Sequence, residues 1–285
     1  MPENLGDLYR YLKRILEKVS TVPDLESRRI IERRSDFTWS DIAAYPEKTI
    51  KQAQIDAIQS DLSERLRGKP LSKIYGVAEF YGREFITSED VLDPRPESEL
   101  IVDIAVDNYK TYPPERILDL GTGTGCLILS LLHVFPAAQG MAVDKSDRAL
   151  SIARQNAEKH NLESRVRFIE SDWWEGINVD ERFDMIVSNP PYIQSKVIPD
   201  LLPEVREYDP ILALDGGEDG LQAYKEIFSR LFSHLKPGGK ALFEIGYDQG
   251  DEVARLGKES GFTVNQVHRD LAGLARVVEI TNGDK

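Results

Sequence analysis

Residues 116–135 leave this chain few folds to choose from. Arg116-Ile117-Leu118-Asp119-Leu120 is a short apolar run, Gly121-Thr122-Gly123-Thr124-Gly125 follows at once, and Cys126 to Phe135 is apolar enough for a buried helix. Strand, glycine loop and helix in that order form the first turn of an open, doubly wound α/β sheet. Glycines there let the backbone come close to a ligand held at the helix N-terminus. The spacing is G-x-G-x-G. It is neither the dinucleotide G-x-G-x-x-G nor a P-loop, which needs a lysine.

The next segments repeat the alternation. Gly140-Met141-Ala142-Val143 reads as a second strand ending on Asp144. An acid about 20 residues past such a loop is placed to accept both hydroxyls of a ribose. Val166 to Glu170 reads as a third strand, ending at Ser171-Asp172-Trp173. An Asp at that edge can accept from an adenine amino group, and an aromatic ring can pack on the base. Either Trp173 or Trp174 suits that packing, and either suits a plain core. Together these strand ends point to an adenosine-containing ligand.

A fourth apolar run, Phe183 to Val187, reaches Ser188-Asn189-Pro190-Pro191-Tyr192. Neither proline can donate to a ladder, and Pro190 keeps Asn189 out of the helical region. The result is a stiff corner at a strand's carboxyl end, where such sheets hold their ligands. The Asn189 side-chain oxygen and the Pro190 carbonyl can both accept from a planar NH2 group. Fixed acceptors of that kind stabilise positive charge as the nitrogen attacks. Tyr192 is expected to cover the flat face of the group. The alternative is a turn that only ends a strand.

Around this centre the chain falls into parts. Residues 4–19 carry Leu5, Leu8, Leu12, Ile15, Leu16 and Val19 at helical spacing, and helical patterns recur at 24–34, 40–44 and 47–67. Ser40 is the expected N-cap of the third. Residues 1–76 are therefore read as a small helical bundle, serving either to dock a substrate or as a structural appendage. Residues 77–98 are expected as a β-hairpin linker turning at Tyr81-Gly82 and leading into Pro94-Arg95-Pro96-Glu97. Arg95, stiffened between prolines, either orients substrate or cofactor or makes a structural salt bridge at a hinge. Residues 99–285 complete the α/β domain: a helix from Glu99 to about Tyr109, a helix at 220–235, a turn at 236–239, a strand at 241–245, a helix to Ser260, and a closing strand pair at 262–267 and 276–280.

Composition excludes several classes. The one cysteine, Cys126, rules out an internal disulfide and fits a reducing, cytoplasmic setting. It is read as a small packing residue rather than a nucleophile. His133, His160, His234 and His268 lack metal-ligand spacing; they are read as surface or capping residues, and no metal is expected. The longest apolar stretch is too short to span a bilayer. Most of the net charge of −13 lies beyond residue 75. That balance disfavours direct contact with nucleic acid, and it either attracts a basic protein partner or only keeps the protein soluble.

Taken together, Gly76 to Phe80 with Phe85, Pro94 to Glu97, Leu118 to Gly125, Ser188 to Tyr192, Ala213 to Gly217 with Asp219-Gly220, and Glu244-Ile245-Gly246 resemble the peptide chain release factor glutamine methyltransferases over nearly the whole chain. The pattern departs at Asp93, where an aliphatic residue is usual, at Ser98 for Thr, and at Asp209, where Glu is common. The resemblance implies a class I methyltransferase fold: a Rossmann-like sheet, mostly parallel with one antiparallel strand, behind an N-terminal helical bundle. It implies transfer of a methyl group from S-adenosylmethionine to the side-chain amide nitrogen of the glutamine in the Gly-Gly-Gln motif of class 1 release factors, docked by the helical domain. Carried over residue by residue, cofactor contacts fall on Gly121, Thr122, Gly123, Thr124, Gly125, Asp144, Trp173 and Asn189, joined by Asp172 at the sheet edge. Substrate contacts fall on Asn189, Pro190, Pro191 and Tyr192, with Arg95 beside them; Asn189, Pro190 and Tyr192 carry the chemistry. Other readings of the same residues are a glutamine methyltransferase of a ribosomal protein, an N6-adenine DNA methyltransferase, since adenine presents the same planar NH2, and a cofactor-binding protein that recruits partners without chemistry.

Overall fold

Leucines three and four apart set the first helix of the computed structural model, in which residues 1–283 are described. α1 (Leu5–Leu16) buries Leu5, Leu8, Leu12 and Leu16 along one face, and Asn4 caps it by accepting from the Asp7 amide at 2.8 Å. α2 (Pro23–Arg34), α3 (Trp39–Ala44), α4 (Gln52–Leu66) and α5 (Leu71–Tyr75) add Ile30, Ile42, Ile58 and Leu71, respectively, to the same core. These helices make Met1–Tyr75 one of two compact units.

Two expectations shift here. The cap of α3 is Thr38 rather than Ser40, because Thr38 and Asp41 exchange backbone and side-chain bonds in a capping box. α4 begins at Gln52 rather than near residue 47, because residues 46–50 bond to the start of the chain instead. The Pro46 carbonyl accepts from Gly6, the Ile50 amide donates to Glu3 at 2.8 Å, and Thr49 bridges Asn4.

The second unit begins at Gly76. β1 (Val77–Phe80) and β2 (Arg83–Ile86) pair antiparallel through a turn in which Tyr81 and Gly82 both take positive φ, +48° and +68°. There follow α6 (Glu99–Asn108), β3 (Arg116–Leu120), α7 (Cys126–Val134), β4 (Gln139–Asp144), α8 (Asp147–Lys159), β5 (Val166–Glu170), β6 (Phe183–Ser188), α9 (Pro203–Arg206), α10 (Gln222–His234), β7 (Leu235–Glu244), α11 (Gly250–Glu259), β8 (Thr263–Arg269) and β9 (Ala275–Thr281). The strand order is β5-β4-β3-β6-β7-β9-β8, and only β9 runs against its neighbours. The sheet is thus mostly parallel with one antiparallel strand, as the family resemblance implies. Ile117, Met185 and Val187 face α6 and α7 on one side, while Leu118, Ile186 and Phe243 meet α10 on the other.

Lys236-Pro237-Gly238-Gly239 is not the expected turn. It is a bulge inside β7: Leu235 pairs with Phe183, Lys240 already pairs with Met185, and Gly238 and Gly239 bond to Asn282. Gly238 takes φ +71°, which suits a glycine at a bulge. Among the described residues no helix is long and apolar enough to cross a membrane.

The order of assembly places the site. From β3 the chain steps outward through β4 to β5, then returns as β6 on the other side of β3. Strand order reverses between β3 and β6, so their carboxyl ends flank a crevice.

Candidate active site

A cavity of about 710 Å³ lies over that reversal, within the range of small-molecule sites. Its floor is the loop after β3. The Gly121 and Thr122 amides both donate to the Val143 carbonyl, at 2.8 and 2.9 Å, which pulls the loop against the end of β4. There the Asp144 carboxylate accepts from the Gly123 and Ser146 amides, each at 2.9 Å. Burial raises its carboxyl above the usual range, against the pull of these amides. Each carboxylate oxygen has a second lone pair for a further donor. Gly121, Thr122, Gly123 and Thr124 line the cavity, whereas Gly125 stands behind it. Gly125 caps α7 at φ +79°, and a Cβ there would come within 3.3 Å of Ala153. Below the loop, Asp119 is buried and accepts from the Thr122 hydroxyl at 2.7 Å; burial pushes its carboxyl up to about 7.

The two tryptophans part company. Trp173 sits at φ +51° with its ring 3.7 Å from where a Gly121 Cβ would stand, on the cavity wall. Trp174 borders the cavity too but is only 3 % exposed. Its indole N–H donates to the Ile227 carbonyl at 3.0 Å, and its ring stacks on His234 at 4.8 Å. His234 is therefore a buried core residue, contrary to the surface or capping role expected; its Nδ1 lies 2.9 Å from the Glu181 carbonyl. Cys126 is buried, and desolvation pushes its thiol up to about 12. Asp172 lies on the cavity rim, where its carboxylate accepts from Lys145 at 2.6 Å.

Opposite the glycine loop, Asn189 and Pro191 line the wall while Pro190 and Tyr192 lie behind it. The Asn189 amide nitrogen donates to Ser98 Oγ at 3.1 Å, and among the described residues nothing donates to its Oδ1. Ser98 in turn donates to Glu244. The Tyr192 hydroxyl points at the same carboxylate, 3.5 Å from Oε1. Glu244 is buried, which pushes its carboxyl up to about 7. The sequence marks Ser98 only as a departure from the family's usual Thr, and Glu244 only as the first residue of Glu244-Ile245-Gly246; neither signal says that the two meet.

Arg95 also reaches the cavity, and its guanidinium donates to the buried Asp209 at 2.6 Å. Asp209 belongs to an excursion leaving the sheet after Tyr192. The Ile193 amide donates to Leu214 at 3.0 Å and the Gly216 amide to Ile193 at 2.8 Å, which closes the excursion at its neck. Leu202, Ile211 and Leu212 on it are more than half exposed.

Two family models match the chain. Residues 86–204 match the Methyltransferase small domain, and residues 7–76 match the PrmC N-terminal domain. The chain is 40% identical to a release factor glutamine methyltransferase of Caulobacter vibrioides over 256 residues, covering 90% of this chain and 88% of the relative. It is 35% identical to a bifunctional methyltransferase of Rickettsia bellii over 285 residues, covering 91% of this chain and 51% of that one. The chain thus spans about half the length of that larger relative. A solved methyltransferase from Pyrococcus furiosus shares the fold at a TM-score of 0.54 and 21% identity, covering 79% of this chain and all of that one.

Proposed function

The chain belongs to the release factor glutamine methyltransferase family, and from that premise we propose that it methylates the side-chain amide nitrogen of the glutamine in the Gly-Gly-Gln motif of a class 1 peptide chain release factor. S-adenosylmethionine is the donor and S-adenosylhomocysteine the product. The observation that carries the reading is Asn189, whose amide nitrogen is held by Ser98 while its oxygen stands without a protein donor at the cavity wall.

The residues present fit the cofactor. The Asp144 carboxylate, already fixed by two backbone amides, has lone pairs left for the ribose hydroxyls. Trp173 offers a ring for the adenine, and Gly121 to Thr124 offer close backbone. When bound, the cofactor supplies an electrophilic methyl group. The chain's own residues do the rest. Asn189 Oδ1, to which none of the described residues donates, accepts an N–H bond of the planar glutamine amide; Pro190, expected to offer its carbonyl as the second acceptor, stands behind the wall instead. The Asn189 acceptor strengthens as the nitrogen becomes positive, and positioning supplies much of the rate. Tyr192 backs the corner, and Arg95 holds the segment that borders it. The acidic second unit suits a basic protein substrate, docked by the helical unit. One unpaired cysteine fits a reducing cytoplasm.

The test is methyl transfer from labelled cofactor to purified release factor, to the same factor with asparagine in place of the motif's glutamine, and to duplex DNA. Label on the glutamine-bearing factor alone is the expected outcome. Label on DNA and not on protein would overturn the reading in favour of an adenine methyltransferase.

A further inference from the structure

An asparagine amide has one accepting and one donating arm. A half-turn about its last bond exchanges them, and a donor facing a substrate NH2 group repels it. Something has to fix the sense. Asn189 donates to Ser98 Oγ, and the Ser98 hydroxyl donates to Glu244 Oε2. A hydroxyl has a single proton. With that proton on Glu244, Ser98 can only accept from Asn189, and a flipped amide would set oxygen against oxygen. Glu244 sets the direction in turn, because an ionised carboxylate only accepts. Ser98 and Glu244 are each 2 % exposed, so water hardly competes for these bonds. The Tyr224 hydroxyl donates to the Glu244 carbonyl at 2.7 Å, which fixes the end of β7 under the carboxylate.

We infer that Ser98 and Glu244 are positioning residues that hold the Asn189 amide with its oxygen toward the cavity. The inference rests on the amide-holding reading above; Ser98 borders the cavity and Glu244 stands behind it, and both act through Asn189. It gives Ser98 a purpose beyond packing: its hydroxyl transmits the polarity of a buried acid to the group that meets the glutamine.

Two readouts on the full-length protein test it. The first is solvent exchange of the Asn189 side-chain NH2, observed by NMR and identified by its absence in Asn189→Ala. The second is the single-turnover rate with release factor saturating. Wild type should show a protected NH2. Ser98→Ala should lose that protection and slow the single turnover by about 10- to 100-fold, the scale of a misplaced reacting group, while cofactor affinity measured by calorimetry holds. Ser98→Thr, which keeps the hydroxyl, should recover most of the rate and the protection. Ser98→Ala with a wild-type rate and a protected NH2 would overturn the inference. If wild type labels no release factor, the functional reading fails and the NH2 alone decides. Protection lost in Ser98→Ala sustains the positioning pair, and protection retained sinks it.

Discussion

Asp144 accepts the Gly123 amide at 2.9 Å, which joins the acid ending β4 and the loop after β3 into one hydrogen-bonded unit. Asp144→Ala should therefore weaken S-adenosylmethionine and S-adenosylhomocysteine alike, since the proposed ribose contact is independent of the methyl group. Loss of a charge-assisted hydrogen bond costs about 1.5–3 kcal/mol. Calorimetry on both ligands checks this, and unchanged affinities would refute the assignment.

The tryptophans separate binding from folding. Trp173→Ala should lower cofactor affinity with little effect on the urea midpoint, because its ring faces the cavity. Trp174→Ala removes a ring packed on His234 and should cost about 3–5 kcal/mol of stability. The opposite pattern in paired denaturation and binding curves would exchange their roles.

Asn189→Ala should lower the single-turnover rate by roughly 10²–10³, by analogy with the loss of one preorganised hydrogen bond at a developing charge. Asn189→Asp keeps an acceptor and the shape, so partial activity with tighter cofactor binding is expected. A wild-type rate in the alanine variant would reduce the Pro-Pro corner to a turn.

Glu244 ties stability and rate to pH in opposite senses. Burial pushes its carboxyl from an ordinary 4.5 up to about 7. Ser98 and Tyr192 donate to it, Arg276 favours its charge, and Glu97 opposes it. A folded-state value above the unfolded one means that the stabilisation is full below 4.5 and lost as pH rises through about 7. The positioning role needs the ionised form, so the single-turnover rate should climb over the same interval. Asp119, also near 7, adds to the stability loss. Glu244→Gln should flatten the rate profile and part of the stability profile. A wild-type rate constant across that interval would count against the ionised form being needed.

A chain beginning near Val77 retains every residue proposed for the cofactor. It should bind S-adenosylmethionine normally and fail to label release factor. Full activity in a folded truncation would leave Met1–Tyr75 without a docking role.

Local pattern carried much of this site, and contacts distant in sequence carried what it missed. Gly121 to Gly125, Asp144 and Asn189 each end an apolar run, so periodicity alone brings them to one sheet edge. Ser98 and Glu244 are 146 residues apart, and no local pattern predicts that they meet. The bulge at Gly238 escaped because Pro-Gly-Gly reads as a turn unless Asn282 is known to lie alongside. The burial of His234 is hidden for the same reason, since Trp174 and Glu181, both distant in sequence, meet its ring. Residues 46–50 look helical until the start of the chain claims their backbone bonds.

The neck at Ile193 and Gly216 has a consequence for how such a protein can be altered. Because the excursion is pinned at its base, its interior can lengthen, shorten or change sequence at little entropic cost, and the corner bearing Asn189 need not move. The excursion and the corner are thus structurally separable. An excursion transplanted from a relative should therefore leave the fold and the Asn189 corner intact, provided that the Arg95 clasp on Asp209 is rebuilt.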